Sequence, residues 1–246
     1  MDLGQNTVFI TGGGSGIGLA LAKAFLNSQN TVIVCVRNAE KLEYVKKQCP
    51  PIHTIRCDVS NIDDVQQVLE KINSEFGGLN ILVNNAGLQY RYDFVAEENA
   101  SLKIDEEIDI NFRAIVHLTK LFLPVLMKAP TAAIINASSF LGIVPKKSAP
   151  VYCATKAALH AFSKSLRYQM EKTPVKVFEI LTPLVDTDMT KGRENDMSKM
   201  SPEALAKEVL LNIGKNNYEI LPGRSKMVLL VNRLFPSIAE RIAKKR

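Results

Sequence analysis

Along the 246 residues of the chain, short apolar runs rich in β-branched residues alternate with longer stretches of helical period. Val8–Thr11 precedes Ile17–Asn27, Thr31–Val36 precedes Ala39–Gln48, and Ile52–Cys57 precedes Ile62–Phe76. The series continues with a strand at Ile81–Val83, a helix near Glu106–Met127, a strand at Ala132–Asn136, a helix near Tyr152–Glu171 and a strand at Val175–Leu181. Alternation at this spacing predicts βαβ units, and therefore an α/β fold whose parallel sheet carries helices on both faces. No break in composition marks a boundary, so residues 1–246 read as a single domain.

The stretch from Asp186 to Pro202 is polar and without period, and reads as a mobile excursion. A helix near Pro202–Ile213 and a short strand near Tyr218–Leu221 follow, and Gly223 separates them from a basic C-terminal segment that could be a helix pair broken at Pro236. That segment changes the reading of the charge. From Arg224 onward seven basic residues (Arg224, Lys226, Arg233, Arg241, Lys244, Lys245, Arg246) stand against Glu240 alone, which accounts for the whole net charge of +6. The remainder is neutral, which argues against a general nucleic-acid surface. The apolar residues of the tail fit packing on the domain or on another subunit better than contact with a membrane.

No apolar run reaches the roughly 18 to 20 residues of a membrane span, and the N-terminus lacks the basic and cleavage regions of a signal peptide. A cytoplasmic protein is expected. Cys35, Cys49, Cys57 and Cys153 form no CxxC pair, so neither a disulfide framework nor a zinc site is expected, and buried thiols are the default.

The first strand runs directly into Gly12-Gly-Gly-Ser-Gly16-Ile-Gly18 and then into a helical pattern. Strand, glycine turn and helix start, in that order, present backbone N–H groups and a positive helix end to a pyrophosphate. A Rossmann-type, doubly wound sheet of about seven strands binding a dinucleotide follows. The second strand ends at Val36-Arg37. An acidic residue there would hydrogen-bond the ribose of NAD, whereas Arg37 suits a 2′-phosphate, so NADP is favoured and NAD stays possible. Ser15 adds no second cation in the loop.

Tyr152 and Lys156 stand four residues apart, and so on one helical face. A free phenol titrates near pH ~10, and a neighbouring ammonium is what would bring it toward neutrality for acid-base work. Alone, such a pair is common on solvated helices.

Two further motifs, Asn84-Asn-Ala-Gly87 and Asn136-Ala-Ser-Ser139, fall after the fourth and fifth strands. With TGGGSGIG and YCATK in this order, the chain resembles the short-chain dehydrogenase/reductase family from about Asn6 to Gly223. The resemblance implies Tyr152 as acid-base, Lys156 as the group that lowers its pKa and holds the nicotinamide ribose, Ser139 as donor to the substrate oxygen, and Asn111 as holder of a relay water. It implies a pyrophosphate loop of Gly12, Gly14, Ser15, Gly16, Ile17 and Gly18, adenine contacts at Asp58 and Val59, a cleft wall of Asn85, Ala86 and Gly87, and carboxamide contacts at Pro183, Val185 and Thr187. Leu184 departs from the family's glycine and would crowd the substrate side of the ring. The chemistry needs no metal, because hydride addition to a carbonyl leaves charge on oxygen that hydroxyl donors can stabilise and protonate.

The segments Val151–His160 and Leu184–Thr187 also resemble bacterial oxidoreductases of this family encoded with cell-wall D-alanylation functions. Substrate selection is expected from the loops Leu88–Phe94, Phe140–Pro150 and Asp186–Met200, with an apolar lining from Phe140, Leu141, Ile143 and Val144. The implied assembly is a homodimer or homotetramer, and the implied substrate a small carbonyl or alcohol. The competing reading is a cofactor-binding regulator or scaffold with little turnover, against which both Tyr152 and Lys156 are retained.

Overall fold

The computed structural model describes residues 1–98, 100–192, 199–223, 225–237 and 241. Seven strands form one parallel sheet in the order β3-β2-β1-β4-β5-β6-β7. They are β1 (Thr7–Thr11), β2 (Thr31–Val36), β3 (His53–Arg56), β4 (Ile81–Asn84), β5 (Ala132–Ser139), β6 (Val175–Thr182) and β7 (Glu219–Ile220). The helices between and beyond them are α1 (Gly16–Asn27), α2 (Ala39–Gln48), α3 (Ile62–Phe76), α4 (Ala100–Ile108), α5 (Ala114–Leu126), α6 (Pro150–Met170), α7 (Pro202–Gly214) and α8 (Ser225–Leu234).

The period of two along each strand divides the core. Val8, Ile10, Val34, Val83, Ile135 and Ile180 face one side and pack with Leu21 and Phe25 of α1 and Leu205 and Val209 of α7. Phe9, Ile33, Leu82, Ile134 and Val177 face the other and meet α3, α5 and α6 through Val68, Phe122 and Leu166. Phe9 stacks on Phe122 at 5.4 Å. Fully burying such a side chain contributes about 2–3 kcal/mol, so the two clusters on either face clamp the sheet between helices. Local signals set the helix ends. Asn38, Asn61 and Ser201 cap α2, α3 and α7 by accepting backbone N–H bonds, and Gly77 closes α3 at a φ of 70° that other residues resist.

Three departures from the sequence reading have physical causes. The helix expected over Glu106–Met127 is interrupted by a π turn at Asp109–Arg113 between α4 and α5, a one-residue insertion invisible to hydrophobic period. Strands β5 and β6 run on to Ser139 and Thr182, because parallel pairing from Ala132↔Val175 to Ser139↔Thr182 carries polar residues that apolar pattern ignores. The helix of Tyr152 starts at Pro150, whose fixed φ suits a first turn. Within the polar excursion, Val185 bridges Met200 in parallel and Asp188–Thr190 forms a 3-10 turn; residues 193–198 lie outside the described residues. Of the expected C-terminal helix pair the first member is α8; Arg224 and residues 238–240 and 242–246 lie outside the described residues, and with them Glu240, Lys244, Lys245 and Arg246. Among the described residues no helix is long and apolar enough to cross a membrane.

Candidate active site

Strand order reverses between β1 and β4, so their following segments diverge and open a crevice beyond the strand C-termini. A cleft of about 350 Å³ lies there. Of the residues singled out from sequence, Gly12, Ser15, Gly16, Ile17, Gly18, Arg37, Asp58, Val59, Asn85, Ala86, Gly87, Tyr152, Lys156 and Thr187 all line it.

The glycine loop is as tight as its composition implies. Gly12 and Gly16 have φ of 67° and 52°, and a Cβ on Gly16 would come within 2.9 Å of Thr187 Cγ2. Asn85 Nδ2 donates to the carbonyls of Thr11 and Gly12, and the Thr11 hydroxyl accepts from the N–H groups of Asn85 and Ala86, so β1 and β4 hold the two cleft walls together. Gly14 does not line the cleft; its Cα faces Val36, where a Cβ would be 2.7 Å from Cγ1.

At the far end, Arg37 Nη1 lies 3.7 Å from Asp58 and 3.5 Å from Glu106, which also accepts from the Tyr90 hydroxyl. Burial alone would raise the Asp58 carboxyl, but hydrogen bonds from Ser60 and the Arg37 charge outweigh it and hold the group below its ordinary value. A second cation is present after all. Lys41, on the first turn of α2, donates to Ser15 Oγ at 3.2 Å and lies 3.8 Å from Asp188. Sequence reading missed it by searching the glycine loop alone; its spacing of four from Arg37 was the available signal.

Tyr152 and Lys156 are buried side by side on α6, with Lys156 Nζ 5.7 Å from the phenol ring centroid. Lys156 Nζ donates to the Ala137 carbonyl at 2.8 Å. Burial lowers its pKa to about 8, against an opposing pull from the Glu179 carboxylate. The 3-10 turn Phe140–Gly142 presses onto this part of α6: a Cβ on Gly142 would stand 2.7 Å from the Lys156 carbonyl carbon. Ser139 is buried at the end of β5 next to the cleft residue Ser138, and its Oγ accepts from Leu141 N at 3.2 Å, which leaves the hydroxyl proton to donate elsewhere.

Asn111 sits in the π turn, fully buried, and does not line the cleft. Its amide binds both the N–H and the carbonyl of Leu88 at 2.9 Å, with Thr155 Oγ1 at 3.4 Å, so it ties the loop after β4 to α6. Pro183 and Val185 also stay off the lining, as does Leu184, whose carbonyl accepts from Met200 N at 3.0 Å. Thr182 and Thr187 face the cleft from this segment instead.

The chain belongs to the short-chain dehydrogenase family, whose model matches residues 6–198. It is 47% identical over 191 residues to DltE of Bacillus subtilis (strain 168), an uncharacterised oxidoreductase, covering 78% of this chain and 76% of that protein. An uncharacterised oxidoreductase of Staphylococcus aureus (strain USA300) is 31% identical over 214 residues, covering 85% and 90% of the two chains. Among solved structures, a short chain dehydrogenase from Burkholderia cenocepacia in complex with NADP superposes with a TM-score of 0.86 at 21% identity, covering 98% of this chain and 99% of that one. A 3-ketoacyl-(acyl-carrier-protein) reductase from Brucella melitensis complexed with NADH gives 0.78 at 24% identity, covering 85% and 91%. At these identities the structural likeness is one of fold.

Proposed function

We propose that the protein transfers hydride between NADP and a carbonyl or alcohol substrate, with Tyr152 as the acid-base. The observation that carries this reading is the burial of Tyr152 and Lys156 together on the wall of the cleft built by the glycine loop. The residues fit a dinucleotide: a turn that tolerates no side chain at Gly16 opens onto the start of α1, where N–H groups favour a pyrophosphate. Lys156 would hold the ribose and Thr187 the nicotinamide end. When bound, the nicotinamide supplies or accepts the hydride. Tyr152 gives a proton to the substrate oxygen during reduction and takes one during oxidation, while Ser139 donates to the same oxygen. The ammonium of Lys156 stabilises the phenolate. Asn111 is proposed to hold a relay water behind Lys156, with its side-chain amide fixed by Leu88 and Thr155.

Arg37 and Lys41 together support NADP over NAD, since both cations stand at the cleft and a 2′-phosphate takes charge-assisted hydrogen bonds from each. Following NADPH and NADH oxidation over a panel of aldehydes and ketones tests both halves. Tyr152→Phe is expected to lose about 100-fold or more in kcat, and Lys41→Ala to lower the preference for NADPH. Full activity in Tyr152→Phe would sink the mechanism, and an unchanged cofactor ratio in Lys41→Ala would remove Lys41 from it. The same chain is proposed to act as a homodimer or homotetramer.

A further inference from the structure

The register of the central strands places Asn84 beside Asn136 and Asn136 beside Glu179, a polar row across β4, β5 and β6 with no solvent access. The row faces α5 and α6: Asn84 Nδ2 donates to Thr119 and to Asn136, and Asn136 Nδ2 donates to Ser163. Amides there tie helices to the sheet. A carboxylate is a different matter, because burying its charge costs several kcal/mol unless another charge answers it.

Glu179 Oε2 is 2.8 Å from His160 Nδ1, and Oε1 has no hydrogen-bond partner. The Ser138 hydroxyl lies between two acceptors, the Lys156 carbonyl at 3.3 Å and the Glu179 carboxylate. The titratable groups facing Glu179 are His160 and Lys156 from α6 and Glu219 from β7, the last paired with Arg167 at 3.2 Å. Lys156 and His160 stand one turn apart on the same face of α6, so the carboxylate hydrogen-bonded to partly exposed His160 lies in the layer that holds Lys156 and, beside it, Tyr152.

We propose that Glu179 is a positioning residue for the acid-base pair: its carboxylate is the buried countercharge that keeps Lys156 protonated beside Tyr152, and His160 keeps that carboxylate ionised. The inference rests on the reading that Lys156 acts on Tyr152. Burial already draws the Lys156 ammonium down to about 8 with Glu179 in place. Without the carboxylate the amine loses its proton at lower pH, and a neutral amine lends the phenolate no field. Burial likewise holds the Glu179 carboxyl above its ordinary value, and His160, by charge and hydrogen bond, and Ser138, by hydrogen bond, limit that rise.

The test is an NMR titration of the full-length protein carrying 13C-labelled lysine, with the Lys156 Cε signal assigned from Lys156→Arg. In Glu179→Gln, which keeps shape and removes charge, the Lys156 midpoint is expected to fall by about one pH unit or more. In His160→Leu it falls in the same direction by less. A Glu179→Gln titration that superimposes on the native one overturns the proposal. If that variant does not fold, His160→Leu decides, since an unmoved Lys156 midpoint there overturns it equally. No substrate or turnover enters this measurement, so it stands or falls separately from the Tyr152→Phe assay.

Discussion

Lys156 is the residue on which the site's pH behaviour turns. Its folded pKa of about 8 lies below the ordinary 10.5, with burial as the main cause. Between those values the unfolded chain binds the lysine proton and the folded chain does not, so this residue makes stability rise with pH across that window; below about pH 8 its burial costs the fold in full. Lys156→Met is therefore expected to stabilise the protein at pH 7, by on the order of 3 kcal/mol at most, and to lose that advantage by pH 10.5. Urea unfolding at the two pH values checks this, and an advantage that does not change with pH would contradict it. At this scale the sequence made Tyr152, Lys156, Arg37 and the glycine loop legible, because fixed spacing and a strand-turn-helix context mark them. Glu179 was not legible. A lone acid in an apolar strand looks like a solvated edge residue until the register sets it against α6.

Among the elements, the contact between the 3-10 turn and α6 governs how the acid-base pair is held. Gly142 allows that turn to lie against the backbone of Lys156 and Ala157, where a Cβ would meet atoms at 2.7 to 2.8 Å. Backbone on both sides leaves no flexible side chain to yield. Gly142→Ala is expected to cost about 1–3 kcal/mol of stability and to lower kcat more than it raises the KM for NADPH. Thermal melts and steady-state kinetics measure the two effects, and an unchanged melting temperature with unchanged kcat would refute the role. Hydrophobic period read strand and helix existence well, since both faces of the sheet are buried. It did not register the π turn at Asp109–Arg113, because a phase shift confined to one turn between two helices is too short to stand out in a pattern of apolar positions.

At the level of the whole molecule, alternation made the parallel, doubly wound sheet legible, whereas the strand order β3-β2-β1-β4-β5-β6-β7 came only from the structure and surfaces meant for other chains carry no comparable signature. The helix α8 and Phe235 just after it leave Met227, Leu230, Leu234 and Phe235 more than half exposed, beside Lys226 and Arg233. Burial of these side chains between copies fits the proposed homodimer or homotetramer. Light scattering is expected to return at least twice the mass of one chain, and a monomer at working concentration would count against assembly. Lys41 pairs with Asp188 at the cleft, and Arg37 pairs with Asp58 there and with Glu106 of α4. Carboxylates thus already occupy both cations, and an incoming anion arrives as a replacement. Entry into the groove is an ion exchange, with its own acids as the resident counterions, so its salt dependence is shallower than two vacant cations would give.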